Sequence, residues 1–223
     1  MLVFADSKLV MLSVPKTGST AYQEALAPHA TMVVRAPPEL KHAPVFRYNR
    51  FFRPMLERFV GGPLDIVAVM REPLDWLGSW YRYRARPEMH GHPNSTAGLS
   101  FDAFVEAYLV GQRPACAQVG SQVRFLAPQR NGTAVTHLFR YEDQPGLRAF
   151  LEARLGVAVT TPRTNESPVM PLRLSPGLGR RLRRKCVDEF RLHDGIGAQG
   201  NYRPLPPSSR PRPSGPAPTA GKT

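Results

Sequence analysis

The sequence predicts an α/β protein of three layers, in which a central and mostly parallel sheet is covered by helices. Two segments support this prediction, because each reads as a buried strand, a polar loop and a helix in succession. In the first, an apolar run over residues 9–14 leads to Pro15, and helical spacing begins at Ala21. In the second, residues 65–70 (DIVAVM) lead into the helical pattern of residues 74–84. Nearly continuous apolar runs are typical of strands that are buried on both faces, as in parallel sheets.

The remaining elements follow from local patterns. Residues 31–34 (TMVV) and 134–141 (AVTHLFRY) predict two further strands, since both contain many β-branched or aromatic side chains. Residues 36–44 hold too many prolines for regular structure and predict a loop that contains His42. Proline and glycine in residues 85–99 predict a surface loop. Helical patterns occur at residues 49–59, 100–110, 118–126, 145–155 and 175–190.

Composition predicts one domain, residues 1–203, followed by a tail. A chain of 223 residues with 42% hydrophobic residues is long enough to bury a sizeable core. Residues 204–223 lack apolar periodicity and are rich in proline, which predicts a disordered segment. The sequence has no apolar run close to the roughly 18 residues of a membrane span, and its start lacks the pattern of a signal peptide. We therefore expect a cytoplasmic protein without a membrane span.

The charge and the cysteines narrow the class of ligand. The formal net charge of +13 predicts attraction to anions such as nucleic acid, membrane headgroups, phosphorylated cofactors or acidic polysaccharides. Neither Cys116 nor Cys186 lies in a paired motif, which argues against a disulfide framework and a zinc site. No metal is expected. Composition alone does not choose among the anions.

The loop between the first strand and its helix has the composition of an anion site. Lys16 supplies positive charge, and Gly18 lets the backbone approach a ligand closely. Thr17, Ser19 and Thr20 add hydroxyl groups beside the free N–H groups of a helix start, where the helix dipole favours negative charge. An ordinary helix cap would contain the same residue types, so this alternative stays open.

The second loop places an arginine where the buried strand ends. Arg71 is followed by Glu72 and by a proline that suits the first helical position, and Ser79 comes eight residues after Arg71. Ligands of open α/β sheets bind at the carboxyl ends of the strands, which makes Arg71 a candidate for phosphate binding. The structural alternative is an arginine that pairs with Glu72 or Asp75.

Two segments of the sequence combine glycine with lysine, but neither fits a Walker A loop. That loop requires four residues between two glycines and a lysine after the second glycine. In residues 15–20 (PKTGST), Lys16 precedes the glycine. In residues 215–223 (GPAPTAGKT), five residues separate the glycines and no strand pattern precedes them. A nucleotide-dependent kinase would also need a carboxylate for magnesium at the strand end where Arg71 stands, which counts against that function.

The two loops together resemble those of the sulfotransferases that use 3′-phosphoadenosine 5′-phosphosulfate (PAPS). PKTGST is similar to their 5′-phosphosulfate loop, and residues 69–83 (VMREPLDWLGSWYRY) are similar to their 3′-phosphate motif. The match is closest to the carbohydrate-type and bacterial branch, whose KH, GSQ-x-RFL and FRYED segments correspond to residues 41–42, 120–126 and 139–143. The resemblance spans residues 10–155.

The resemblance implies a P-loop-like sulfotransferase fold and transfer of a sulfuryl group from PAPS to a hydroxyl acceptor, a carbohydrate or small glycoside. It implies that Lys16 stabilises the leaving oxygen, as cations do in phosphoryl transfer. It also assigns nucleotide-binding residues: Lys16, Thr17, Gly18, Ser19 and Thr20 at the 5′-phosphate, and Arg71 and Ser79 at the 3′-phosphate.

His42 is the candidate general base, because histidine titrates near neutral pH and related enzymes carry a base in the corresponding loop. A solvated loop histidine is the competing interpretation, and Glu39 is the second candidate base. Ser121, Gln122 and Arg124 are further candidates for contacts with nucleotide or acceptor. The alternative function from another class is a non-catalytic binder of nucleic acid or acidic glycan. For the enzyme we expect no nucleic-acid partner, and the oligomeric state is not predicted.

Overall fold

Five strands form an open, mixed sheet in the computed structural model, which describes residues 1–161 and 172–205. The strands are β1 (Leu2–Phe4), β2 (Leu9–Met11), β3 (Met32–Val33), β4 (Asp65–Met70) and β5 (His137–Arg140). Their order across the sheet is β3, β1, β2, β4, β5. The α/β prediction is confirmed, and β4 has the predicted bounds. The predicted tail, residues 204–223, lies outside the described residues from 206 onward.

The sheet is less parallel than predicted. β2, β4 and β5 are parallel neighbours, whereas β1 is antiparallel to both β2 and β3. The sequence analysis assigned no strand to residues 2–4. β1 reaches β2 through a tight turn in which the N–H of Lys8 donates to the carbonyl of Ala5 at 3.0 Å. Antiparallel neighbours need only such a short turn, whereas parallel neighbours need a long crossover.

Helices fill most of the connections between the strands. They are α1 (Ser19–Leu26), α2 (Pro38–Lys41), α3 (Val45–Arg47), α4 (Arg53–Val60), α5 (Pro73–Arg84), α6 (Phe101–Leu109), α7 (Gln122–Leu126), α8 (Gln144–Leu155), α9 (Pro176–Lys185) and α10 (Val187–Asp194). A π-helical turn, Tyr48–Phe52, joins α3 to α4. Within the two described ranges, none of these helices has the length and apolar character needed to cross a membrane.

Two helix predictions are corrected. The loop predicted for residues 36–44 contains α2, whose two prolines, Pro37 and Pro38, occupy the cap and the first position, where a helix tolerates proline. The single helix predicted for residues 175–190 is two helices, α9 and α10. They separate at Cys186, whose backbone leaves the helical region with φ −112° and ψ 32°.

Both faces of β4 are buried against helices. Ile66, Ala68 and Met70 belong to one hydrophobic cluster, and Val67 and Val69 belong to another. Successive side chains of a strand point to opposite faces, so an apolar residue is needed at every position. The helix residues of the first cluster include Tyr48, Leu56, Phe125 and Leu192, and those of the second include Tyr22, Leu26, Leu147 and Leu151.

Gln122 fixes the backbone at the end of β4. Its side chain is fully buried. The backbone N–H of Arg71 donates to Oε1 of Gln122 at 2.9 Å, and Nε2 of Gln122 donates to the carbonyl of Arg71 at 2.8 Å. One amide therefore pairs both backbone groups of Arg71 and attaches α7 to the second polar loop.

We predict that Gln122→Ala lowers the free energy of unfolding by about 1–3 kcal/mol, because it leaves two buried backbone groups unpaired. The melting temperature should fall by roughly 2–4 °C for each kcal/mol in a domain of this size. The matched control is Gln129→Ala, since in the described part of the chain the side chain of Gln129 bonds only the nearby carbonyl of Ala127, at 2.9 Å. Urea unfolding measures both variants, and equal losses would contradict the anchoring role of Gln122.

Candidate functional site

The loop after β2 is closed by bonds to its own backbone and to α5. The hydroxyl of Thr17 donates to the carbonyl of Val14 at 2.9 Å, and the indole N–H of Trp76 donates to the carbonyl of Pro15 at 2.9 Å. The hydroxyl of Thr17 therefore shapes the loop, and this residue is 1% exposed. A ligand in the loop would meet its backbone N–H and not its hydroxyl.

The start of α1 offers N–H groups that no side chain caps among the described residues. Gly18 precedes the helix with φ 72°, and Lys16 has φ 65°, a left-handed conformation that is uncommon for a residue other than glycine. Ser19 is buried and Thr20 is half-buried. Strained backbone beside unpaired donors is typical of ligand-binding loops, so the loop keeps the properties of an anion site.

Lys16 is held against aromatic rings within a group of positive charges. Its Nζ lies 3.8 Å from the ring centroid of Tyr83 and 5.5 Å from that of Trp80. Burial lowers the pKa of Lys16 to about 8, and the charges of Arg86 and Arg71 contribute to this shift. The buried indole N–H of Trp80 has no hydrogen-bond partner in the described part of the chain. An anion near Lys16 would offset the repulsion between Lys16 and the two arginines, Arg71 and Arg86.

Arg71 joins the two polar loops. Its Nε donates to Oδ2 of Asp75 at 2.6 Å, which is the structural pairing considered from the sequence. Its Nη1 also donates to the carbonyl of Lys16 at 3.3 Å. The guanidinium lies 4.3 Å from the ring centroid of Tyr141. The structure therefore brings Arg71 next to the Lys16 loop, and the ion pair with Asp75 holds the side chain of Arg71.

Ser79 is less accessible than a phosphate ligand would require. It is 5% exposed and lies roughly 9 Å along α5 from the first helical residue, at 1.5 Å per residue. In residues 1–161 and 172–205, no hydrogen bond joins Ser79 to Arg71 or to the Lys16 loop. Arg71 therefore lies in the loop before α5 and Ser79 lies within α5, without a hydrogen bond between their side chains in the described residues.

The candidate base His42 lies beside the end of β2. Its Nδ1 lies 2.7 Å from the carbonyl oxygen of Ser13, which can only accept, so Nδ1 carries the proton and Nε2 keeps the lone pair. Burial lowers the pKa of His42 below the usual 6.5, the bond to Ser13 partly opposes this, and the nearby charge of Lys41 lowers it further. His42 is half-buried, so it is not the solvated loop histidine, whereas Glu39 is exposed.

Two residues of this region, Lys41 and Tyr141, were not predicted as site residues. Lys41 donates from Nζ to Oγ1 of Thr20 at 3.3 Å, which adds a second lysine at the start of α1. The sequence feature that points to Lys41 is its position beside His42 in the KH segment. Tyr141 lies over Gly18, since its Cε2 is 3.2 Å from the position that a Cβ of Gly18 would take. No local pattern predicts this contact, because it joins distant parts of the chain.

A cavity of about 300 Å³ lies beside these groups. Pro15, which precedes Lys16, and Pro44, which follows His42 by two residues, both line it. Its other apolar residues are Val14, Phe46, Trp76, Val119 and Phe125. Ser121, Gln122 and Arg124 supply its polar groups. The cavity is large enough for a small organic molecule, and its lining includes chain neighbours of Lys16 and His42 but neither of those two residues.

The arrangement can bind an anion between two loops and accept a proton at His42. Among the described residues, no group of three or more His, Cys, Asp and Glu side chains is placed to hold a metal ion. Comparison of the chain with models of protein families, with curated proteins and with solved structures finds no match. Interpretation of the site therefore depends on its residues and their geometry.

We predict that Gly18→Ala destabilises the protein in two ways. The left-handed backbone at φ 72° costs an alanine roughly 1–2 kcal/mol, and the new methyl group displaces the ring of Tyr141. Gly61→Ala is the matched control, because Gly61 has φ 74° but no described atom within 4 Å of its Cβ position.

A double-mutant cycle with Tyr141→Ala separates the two effects. Free energies of unfolding should show coupling between positions 18 and 141 and none between 61 and 141. Absence of coupling at position 18 would contradict the packing of Tyr141 on the loop.

Proposed function

We propose that this protein is a sulfotransferase that moves a sulfuryl group from PAPS to a hydroxyl group of a carbohydrate or small glycoside. The observation that carries the proposal is the hydrogen bond from Nη1 of Arg71 to the carbonyl of Lys16, at 3.3 Å. It holds two cationic loops side by side. PAPS carries a 5′-phosphosulfate and a 3′-phosphate, so it needs two such anion sites within one nucleotide length.

The proposed fold is the three-layer, P-loop-like fold that the sequence resemblance implies. Support for it comes from the parallel strands β2, β4 and β5 and from the helices packed on both faces of β4. The Lys16 loop and the Arg71 loop each follow one of these strands and precede a helix, α1 or α5. That order places both loops where open α/β sheets bind ligands.

The donor half of the reaction requires stabilisation of a leaving phosphate. As the acceptor oxygen bonds to sulfur, the bond from sulfur to the bridging oxygen breaks, and negative charge collects on the 5′-phosphate of the departing 3′-phosphoadenosine 5′-phosphate (PAP). Lys16 and the first N–H groups of α1 stabilise that charge. With its pKa lowered to about 8, Lys16 is mainly protonated at pH 7. Arg71 binds the 3′-phosphate.

The acceptor half of the reaction requires removal of a hydroxyl proton. Nε2 of His42 takes it, because Nδ1 is already committed to Ser13 and the imidazole is neutral at pH 7. The cavity beside Pro15 and Pro44 holds the body of the acceptor, and its apolar walls suit the face of a sugar ring or an aglycone.

We predict that PAP raises the melting temperature far more than ATP or AMP does. At about 100 times the dissociation constant the rise should be roughly 5–10 °C. Arg71→Ala should abolish most of it, whereas Arg154→Ala should retain it. Arg154 is the matched control, because it pairs with Asp65 at 2.8 Å, at the start of the same strand.

A scanning fluorimetry series with the three nucleotides provides the measurement. An equal shift with all three would favour a binder of anions in general. Retention of the PAP shift in Arg71→Ala would refute the assignment of that residue.

We predict that His42→Ala lowers turnover of labelled PAPS about 100-fold or more while PAP still binds. A base must be unprotonated, so on the acid side the rate in the unmodified protein should fall as the pH drops through the pKa of His42, which burial holds below 6.5. His90→Ala, at an exposed histidine, is the control. Unchanged turnover in His42→Ala would show that another group takes the proton.

A further inference from the structure

Residues 45–60 form a continuous helical segment with an apolar face on its solvent side. Its inward positions, Val45, Tyr48 and Leu56, are buried in the core. Its outward positions include Phe46, Phe51, Met55 and Phe59, which are 47%, 58%, 43% and 82% exposed. We name these four residues the aromatic face. The solvent side of a surface helix is normally polar, so this face requires an explanation.

Positive charge surrounds the aromatic face. Arg50 and Arg58 are exposed on the same side of the segment, and Arg47 is half-buried beside Phe46. The guanidinium of Arg47 lies 5.5 Å from the ring centroid of Phe46, and that of Arg50 lies 5.3 Å from the ring centroid of Phe51. Cations and aromatic rings therefore alternate over one surface.

The acidic charge of this segment is already neutralised. Its only carboxylate, Glu57, pairs with Arg53 at 3.2 Å. A second copy of the chain docked on this face would bring arginines against arginines. A partner must therefore be both apolar and anionic.

We propose that the aromatic face binds the surface of an anionic lipid membrane. The helical segment lies in the plane of the interface, with the phenylalanine rings among the upper acyl chains and the arginines at the lipid phosphates. Interfacial helices combine the same features, an apolar face with large aromatic residues and flanking basic residues. A fluid bilayer also accepts a convex row of rings without a shaped groove. The proposal uses neither the Lys16 loop nor Arg71. Phe46 also lines the cavity, so the variants that test the proposal leave Phe46 unchanged.

Vesicle sedimentation of the full chain tests the proposal. Sucrose-loaded vesicles contain phosphatidylcholine alone or with about 30% phosphatidylglycerol, at about 0.15 M salt. We expect binding to the anionic vesicles to be about tenfold stronger or more. Phe51→Ser/Phe59→Ser should reduce it by about tenfold or more. Val110→Ser/Val187→Ser is the matched control, since Val110, after α6, and Val187, in α10, are 43% and 46% exposed away from this segment. It should bind within about twofold of the unmodified protein.

A second pair of variants separates local charge from net charge. Arg50→Gln/Arg58→Gln and Arg183→Gln/Arg184→Gln each remove two exposed positive charges, the latter on α9. Only the first pair should weaken vesicle binding several-fold. Equal losses in both pairs would show attraction by net charge and would overturn the proposal, as would absence of binding to anionic vesicles.

Analytical ultracentrifugation of the same proteins tests the alternative that a second copy of the chain covers the aromatic face. A dimer that becomes a monomer in Phe51→Ser/Phe59→Ser, without vesicle binding, would assign the face to a second copy of the chain and overturn the membrane assignment. Phe59→Ser alone, at the most exposed ring, repeats the vesicle test if the double variant melts at a lower temperature.

Discussion

Parallel pairing of β2 with β4 is the constraint on which the candidate site depends. The two strands run in the same direction, so the loops that follow them leave the sheet at one edge. The pairing continues past β2, since the N–H of Leu12 donates to the carbonyl of Val67 at 2.9 Å. Gln122 then fixes the backbone of Arg71, and Trp76 fixes the loop before Lys16. Buried side chains therefore hold the backbone of both loops in place.

The free site concentrates like charges in partly buried surroundings. Lys16, Arg71 and Arg86 influence one another, as the lowered pKa of Lys16 reflects. Asp75 offsets part of this repulsion through its bond to Arg71, and aromatic rings beside Lys16 and Arg71 offset another part. An anion bound at the proposed site would relieve the remaining repulsion among these cations.

Local sequence patterns correctly predict the structural features that depend on neighbouring residues in the chain. The DIVAVM run predicts β4 with its correct bounds, because burial on both faces requires apolar residues at positions 66–70. The order of strand, loop and helix likewise predicts the neighbourhood of Lys16 and Arg71. It does not predict the contact of Tyr141 with Gly18, since that contact depends on how distant segments pack. The inward hydroxyl of Thr17 was also missed, because residue type does not reveal whether a side chain bonds its own backbone or a ligand.

The lowered pKa of Lys16 also has a consequence for reactivity. An ordinary lysine has a pKa near 10.4 and is almost wholly protonated at pH 8, whereas burial lowers the pKa of Lys16 to about 8 and so raises its share of free amine. A neutral amine is a nucleophile and can be acylated by activated esters. The feature that attracts an anion thus also makes Lys16 a target for selective covalent modification, and a bound nucleotide that raises this pKa would protect it.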